Sequence, residues 1–368
     1  MFRNSSLYAE RELIKEINID NRAEWNAIVR SFIDYDVYYL AEYVEAFELH
    51  GDGIPTLFYF SRDDLRVMNV VMKRDISQCE YFANVIERDR IFDLSTPYGY
   101  GGFLFEGKLS NDSLNQFLSD YKIFCRERGY VSEFIRFHPV LRNADVLKEC
   151  SEHMRVIDLG NTVTIPLVSF TEIWQSYKAN NRNKVRKAIK NGVRAYWGRN
   201  RDIFRQFADL YRITMEKDNA VDYYFFDQEF YSSILNSLKY NSLIFYAVYE
   251  EKMIAGSIIL FANGKMHYHL SGSDPDYSTL GGTNLLLTEV IKWGLENDFK
   301  SFHMGGGVGS SSEDSLYTFK QGFNRESDTF FSIGQIIFNE EIYDKLVSTR
   351  GSYSSISTDH EFFPAYRR

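Results

Sequence analysis

Cysteine, proline and long apolar runs are scarce in this chain of 368 residues, and each scarcity excludes something. Cys79, Cys125 and Cys150 are odd in number and far apart, which rules out a disulfide framework or a zinc knuckle and leaves buried or idle thiols. Only six prolines occur, which argues against long disordered linkers. No run of eighteen apolar residues is present, and the opening MFRNSSLYAERELIKEI has no apolar stretch ending in a small-residue cleavage site. No membrane span and a cytoplasmic location are therefore expected. With a net charge of −9 the surface as a whole is not a DNA-coating polyanion binder.

What is present describes an ordinary folded protein, with 44% hydrophobic residues, 26 Tyr and 30 Phe. The length exceeds what one core usually organises, so two domains are expected. In the first part, helix signals around Leu40 to Leu49 precede strands near 56–60 and 65–72, a helix over 112–128 and a strand at 131–137. The second part repeats the pattern, with strands near 242–249, 253–261 and 265–270, a helix from Gly281 to Glu296 and a strand at 300–303. Two similar α/β modules packed together, with an active site in the cleft between them, are the expectation.

Three stretches carry chemistry. In HMGGGVGSSSEDSLYTFKQGF, at 303–323, Gly305, Gly306, Gly307 and Gly309 allow positive φ and close approach, so amides can converge on an anion or oxyanion while Lys320 adds a cation. Gly281 and Gly282 open a helix whose first amides suit phosphate, although paired glycines also make plain turns. The third stretch, Lys178 to Arg201, holds many Lys and Arg and no acid. Val185, Ala188 and Ile189 give it a packed helical face, with Lys184, Lys187, Asn191 and Arg194 along another. It is either a solvated surface helix or a phosphate-binding one, and the absence of Glu-to-Lys pairs favours the second.

The segment STLGGTNLLLTEVIKWGLENDFKSFHMGGG followed by DSLYTFKQGF resembles the C-terminal module of the Fem peptidoglycan aminoacyltransferases and the related GNAT-type acetyltransferases. YDVYYLAEYV at 35–44, TPYGYGGFL at 96–104 and NNRNKVRKAIKNGV at 180–193 are similar to further elements of that branch. The resemblance implies an α/β (α+β) fold of two tandem GNAT-like modules, each a mixed, mostly antiparallel sheet flanked by helices. Residues 1–160 would form the first module and 161–338 the second, with the tail 339–368 packing back on the first. No heptad-patterned arm follows the basic helix, and HMGGG stands where an Asp-Phe-Gly-Gly form is common, so the acceptor stays open between an amino sugar of surface polysaccharide and a peptidoglycan stem peptide.

The activity implied is acyl or aminoacyl transfer to an amine on a nucleotide- or lipid-linked precursor. No tightly bound cofactor is implied; acyl-CoA or aminoacyl-tRNA is the co-substrate, and tRNA is the one nucleic-acid partner considered. Lys320 is similar to the family lysine that stabilises developing charge, with Phe319 beside it. His303 and Asp314 (with Glu313) are candidates to take a proton or orient the amine. Donor and acceptor contacts are expected from Gly305 to Gly307, Gly281, Gly282, Lys184, Arg186 and Lys187. Tyr98 and Tyr100, on a loop expected to be exposed, and Tyr38, in the acceptor wall, complete the set. His267 and His269 share a strand face, but an HxH pair without a third ligand at a recognisable spacing makes no metal site. Two other readings stay open: a non-catalytic tandem-GNAT module that binds nucleotide-sugar or nucleic acid, and a metal-dependent hydrolase using those two histidines. Monomer and homodimer are equally compatible with the sequence.

Overall fold

A computed structural model describes residues 13–83, 85–308, 314–351 and 362–368. Gly309 and Glu313 lie outside the described residues. The first half runs β1 (Ile14–Asn18), α1 (Arg22–Ser31), α2 (Ala41–Leu49), β2 (Ile54–Arg62), β3 (Leu65–Asp75), β4 (Phe92–Ser95), β5 (Leu104–Gly107), α3 (Asn111–Glu127) and β6 (Tyr130–Arg136). A long strand β7 (Arg155–Pro166) leads to α4 (Phe170–Ser176), α5 (Ala179–Lys190), β8 (Arg194–Gly198), α6 (Arg201–Lys217) and α7 (Gln228–Asn236). Then come β9 (Ser242–Tyr249), β10 (Lys252–Ala262), β11 (Lys265–Ser273), α8 (Gly282–Glu296), β12 (Ser301–Gly305), α9 (Ser315–Gln321), β13 (Thr329–Ile337) and α10 (Glu340–Gly351).

The strands form one mixed sheet in the order β1-β2-β3-β4-β6-β13-β7-β12-β11-β10-β9-β8, with β5 beside β3. The two halves are built alike. In each, an antiparallel run ends in a parallel pair joined by one crossover helix: β4 and β6 through α3, β11 and β12 through α8. Strand β7 joins them, pairing with β13 over Arg155–Thr162 and with β12 over Val163–Pro166. The late strand β13 inserts between β7 and β6, so the chain returns to the first half's sheet. Tyr343 and Leu346 of α10, with Tyr366, share a core with Ile76, Phe82 and Val131, which seats the described tail residues on the first half.

Local chemistry explains the ends of the basic helix. Asn191 and Gly192 follow α5, and Gly192 at φ +83 closes it in the left-handed conformation. Arg194 therefore opens β8 and does not extend the cationic helical face. Asn181, Val185 and Ala188 form the buried stripe of α5, whereas Ile189, expected on the packed side, is 58% exposed. Between the halves, Trp25, Phe47 and Leu57 share a core with Phe207, Phe230 and Leu270. Apolar burial of this kind, at roughly 25 cal/mol per Å², makes the halves one packed body.

Candidate active site

Parallel pairing of β11 with β12 stops early. Lys265, Met266 and His267 pair with Ser301, Phe302 and His303; β12 then ends at Gly305 while β11 continues to Ser273. Lys320 from α9 reaches this opening, its Nζ 5.8 Å from the centre of the Tyr268 ring and donating to the Gly306 carbonyl at 2.7 Å. Gly305 takes φ +77, and a Cβ there would stand 3.3 Å from the Tyr100 hydroxyl and 3.4 Å from Lys320 Nζ. The left-handed backbone favours glycine, and a Cβ would press on the tips of both side chains. A phenol from the first half and an ammonium from the second thus both border Gly305.

Burial drives the electrostatics. Desolvation pulls the Lys320 ammonium down to about 8, with Asp314 opposing. Asp314 accepts from Tyr317 N at 2.8 Å and from Val308 N at 3.0 Å, so it caps α9 and pins the glycine turn. The nest expected from the glycines is accordingly rearranged. Among the described ones only Gly305 has positive φ; the Val308 amide serves Asp314; and Gly307 is glycine because a Cβ would fall 2.3 Å from that carboxylate. Phe319, grouped with Lys320 in the sequence, sits edge-on to Phe323 and packs on the second half's core.

Behind Gly305 lies a histidine cluster that the sequence showed only in pieces. His303 Nδ1 is 2.8 Å from Thr164 Oγ1, while its Nε2 is buried without a partner among the described residues. Burial, then His267, His138 and Lys320, hold His303 well below its ordinary pKa, so it is a neutral base. Burial, then His267, takes His269 down to about 3. His267 Nε2 lies 2.9 Å from Asp36 Oδ2, and His138 Nε2 lies 3.0 Å from the same oxygen, off the line of a good hydrogen bond. Burial pushes the Asp36 carboxyl up, and the two histidines outweigh it and hold it well below the carboxylate range.

Asp36, His138 and His267 bring their ligand-type atoms within 4.8 Å of one another, a grouping that includes His267 but not its HxH neighbour His269. The Leu141 amide, however, points at His138 Nδ1 at 3.3 Å. That leaves the His138 proton on Nε2, facing Asp36, and a metal there would have to displace it. A hydrogen-bonded cluster fits better than an ion's shell.

The aromatic loop is less open than expected. Tyr98 and Tyr100 are half-buried and Tyr38 is buried; Tyr38 contacts Tyr100 at 5.7 Å and His267 at 4.8 Å, and Tyr100 contacts His303 at 5.2 Å. Gly281 caps α8 at φ +75 and approaches the Lys184 carbonyl so closely that a Cβ would lie 2.8 Å from it. Gly282 is buried against Ile254. Lys184, Arg186 and Lys187 are exposed on α5 beside that turn, with Arg186 over the Trp174 ring at 5.6 Å. Parallel topology puts the start of α8 and the end of β12 at the same edge of the sheet. A surface hollow of about 510 Å³, lined by Glu45, Gln228 and Glu229 among others, shares no residue with this cluster.

The family model described as "Acetyltransferase (GNAT) domain" matches residues 175–321. The matched segment, within the second half, is similar to a GNAT domain. It ends one residue past Lys320, as the resemblance read from TFKQGF and HMGGG implied. Among curated proteins, the chain is 25% identical to a UDP-N-acetylmuramoylpentapeptide-lysine N(6)-alanyltransferase of Weissella viridescens, over 46% of this chain and 50% of that protein. It is 22% identical to a lipid II:glycine glycyltransferase of Staphylococcus haemolyticus, over 47% and 57%. The chain thus spans about half the length of these relatives. Among solved structures, FemX matches 90% of this chain and 99% of its own at 16% identity and a TM-score of 0.65. The C-terminal domain of a putative lysylphosphatidylglycerol synthetase from Agrobacterium fabrum matches 86% and 91% at 12% identity and 0.52. The tandem GNAT-like architecture is therefore shared with Fem-type proteins. Among the described residues no helix is long and apolar enough to cross a membrane.

Proposed function

We propose that this chain is an N-acyltransferase that forms an amide bond on an amine of a cell-envelope precursor, with an aminoacyl group as the transferred unit. The observation carrying this reading is the convergence of Lys320 and the Tyr100 hydroxyl on Gly305 at the open end of the β11/β12 pair. The names of both curated relatives denote aminoacyl transfer, which supports the choice of group.

The amine nitrogen attacks the donor carbonyl, and a C–N bond forms as the C–S bond of a thioester or the C–O bond of a tRNA ester breaks. Negative charge builds on the carbonyl oxygen, where the desolvated Lys320 ammonium is pre-placed. The amine must lose a proton, and the neutral, unpartnered His303 Nε2 is the acceptor in this reading. The donor lies along Gly281, Gly282 and the cations Lys184, Arg186 and Lys187 of α5; the acceptor enters past Tyr38, Tyr98 and Tyr100.

Incubation with radiolabelled acetyl-CoA and, separately, charged alanyl- or glycyl-tRNA, each with UDP-linked muramoyl-peptide or amino-sugar acceptors, tests the reading by mass. A mass gain from charged tRNA supports the reading and identifies the donor, whereas a gain from acetyl-CoA alone keeps the N-acyltransferase and overturns the aminoacyl group. No product from either donor, with retained binding of the nucleotide-sugar, favours the non-catalytic binding module.

A further inference from the structure

Arg136, the last residue of β6, is unlike the other half-buried arginines of this protein. Arg62, Arg66, Arg74 and Arg367 each meet a carboxylate, on Asp120, Glu106 and, for the last two, Asp93. Arg182 and Arg199 meet none but give their Nη groups to backbone carbonyls of Tyr177 and Leu235, among others. Arg136 does neither. Its Nε donates to the Gly99 carbonyl at 2.9 Å and its guanidinium lies 5.1 Å from the centre of the Phe331 ring, but among the described residues Nη1 and Nη2 have no acceptor. A partly desolvated cation normally takes a partner, because leaving it unpaired forfeits the attraction that offsets the lost hydration.

Its surroundings show what faces the free end of the fork. Gly99, which holds Nε, separates Tyr98 from Tyr100, and Tyr100 packs on Phe331 at 5.7 Å. Tyr98 contacts Tyr223 at 6.2 Å and Tyr38 contacts Tyr100 at 5.7 Å. Burial raises all four phenols and the Arg136 charge opposes it at each; the hydrogen bond from Nε to the Gly99 carbonyl sets the guanidinium beside the Tyr98–Tyr100 loop. Of the carboxylates near these rings, Asp52 is taken by the Tyr223 hydroxyl at 2.8 Å, and Asp36, which acts on Tyr38, lies 2.9 Å from His267 Nε2. The Tyr38, Tyr98 and Tyr100 hydroxyls remain as neutral donors.

We propose that Arg136, with the hydroxyls of Tyr98 and Tyr100, forms an oxyanion-binding subsite in the first half that anchors a phosphate or carboxylate group of the acceptor. The planar fork offers two parallel N–H donors to such a group, and the phenols add donors without competing charge. That the anion belongs to the acceptor rests on the acyl-transfer reading; that Arg136 holds an anion does not. Tyr100 belongs both to this subsite and to the border of Gly305, so an anion held here lies next to the reacting centre.

The test is calorimetric titration of the full chain with inorganic pyrophosphate and, separately, with glutarate, at matched ionic strength. Pyrophosphate saturation identifies a phosphate source and glutarate saturation a carboxylate source. R136Q should weaken the winning probe at least tenfold, and R136K, which keeps the charge but not the fork, by a smaller factor. K184Q/K187Q reports any separate binding at α5 and should leave the Arg136 class of sites unchanged. Unaltered affinity in R136Q, or no saturation by either probe in the wild type, overturns the proposal. If R136Q fails to fold, as judged by circular dichroism, R136K decides: affinity equal to wild type overturns it. K320M separates the two claims, since probe binding retained in a chain whose turnover is unaffected by K320M sinks the acyl-transfer mechanism and leaves the anion site standing.

Discussion

The first half and the second half contain the same parallel seam, but one is sealed and the other is open. After β4 the chain keeps bonding to β6: Thr96 N donates to the Phe134 carbonyl and Gly101 N to the Arg136 carbonyl. Strands β11 and β12 part after His267 and His303, and Lys320 fills the gap. Each half also buries an ionisable group near its seam. Glu133 is raised to about 7 by burial, yet Asn69 at 2.6 Å and Tyr121 at 2.9 Å occupy its oxygens. Lys320 has one carbonyl partner and an opening beside it. Burial with a perturbed pKa marks both, and the incomplete one is the one to which we assign chemistry.

The comparison breaks first at Lys320. K320M is expected to lower single-turnover transfer by about 10²–10³-fold, the effect of removing one oxyanion donor. It should also raise stability by about 1–3 kcal/mol in thermal melts, because a desolvated cation is removed; loss of stability would contradict the account of its burial. Gly305→Ala comes next, with a loss of at least about tenfold in kcat and about 1–2 kcal/mol of stability, since its φ is left-handed and its Cβ space belongs to Tyr100 and Lys320.

At the sealed seam the expected effect is on stability alone. The folded Glu133 holds its proton up to about 7 whereas an unfolded glutamate releases it near 4.3. The native state therefore binds more protons in that window, and this group's contribution to stability falls as pH rises from about 4.3 to about 7. E133Q should flatten that slope with turnover unchanged, as denaturant melts across the window would measure. The smallest effect is expected from chelation: EDTA should leave the melting temperature within about 1 °C, since the Asp36, His138 and His267 cluster is read as hydrogen-bonded. A fall of several degrees, reversed by zinc, would restore the metal reading.

Much of the second half was legible because its elements carry strong local signals. Strands β9 to β12 and helix α8 lie within a few residues of the expected positions, as alternating apolar runs and the Gly281 cap dictate. Strands β1, β4, β5, β7, β8 and β13 were not anticipated. Strands β4 and β5 are four residues long, and the insertion of β13 between β6 and β7 is a long-range pairing that its own sequence does not show. Within the site, Lys320 was legible from its glycine-rich context. Asp36, His138 and Arg136 were not, since they come from separate segments and acquire meaning only when folding sets them beside His267 and Tyr100. The nearest signal was IRFHP, an arginine and a histidine alternating at the end of an apolar strand.

The central claim is that Lys320 acts as a cation at the open seam, and the pH dependence of single-turnover transfer tests it most directly. Wild type should lose activity as pH rises through about 8, where the ammonium gives up its proton. K320R, which stays charged, should keep part of the activity and lose that alkaline limb, while K320M should be nearly inactive at every pH. A K320M rate equal to wild type, or an alkaline limb unchanged in K320R, would contradict the account.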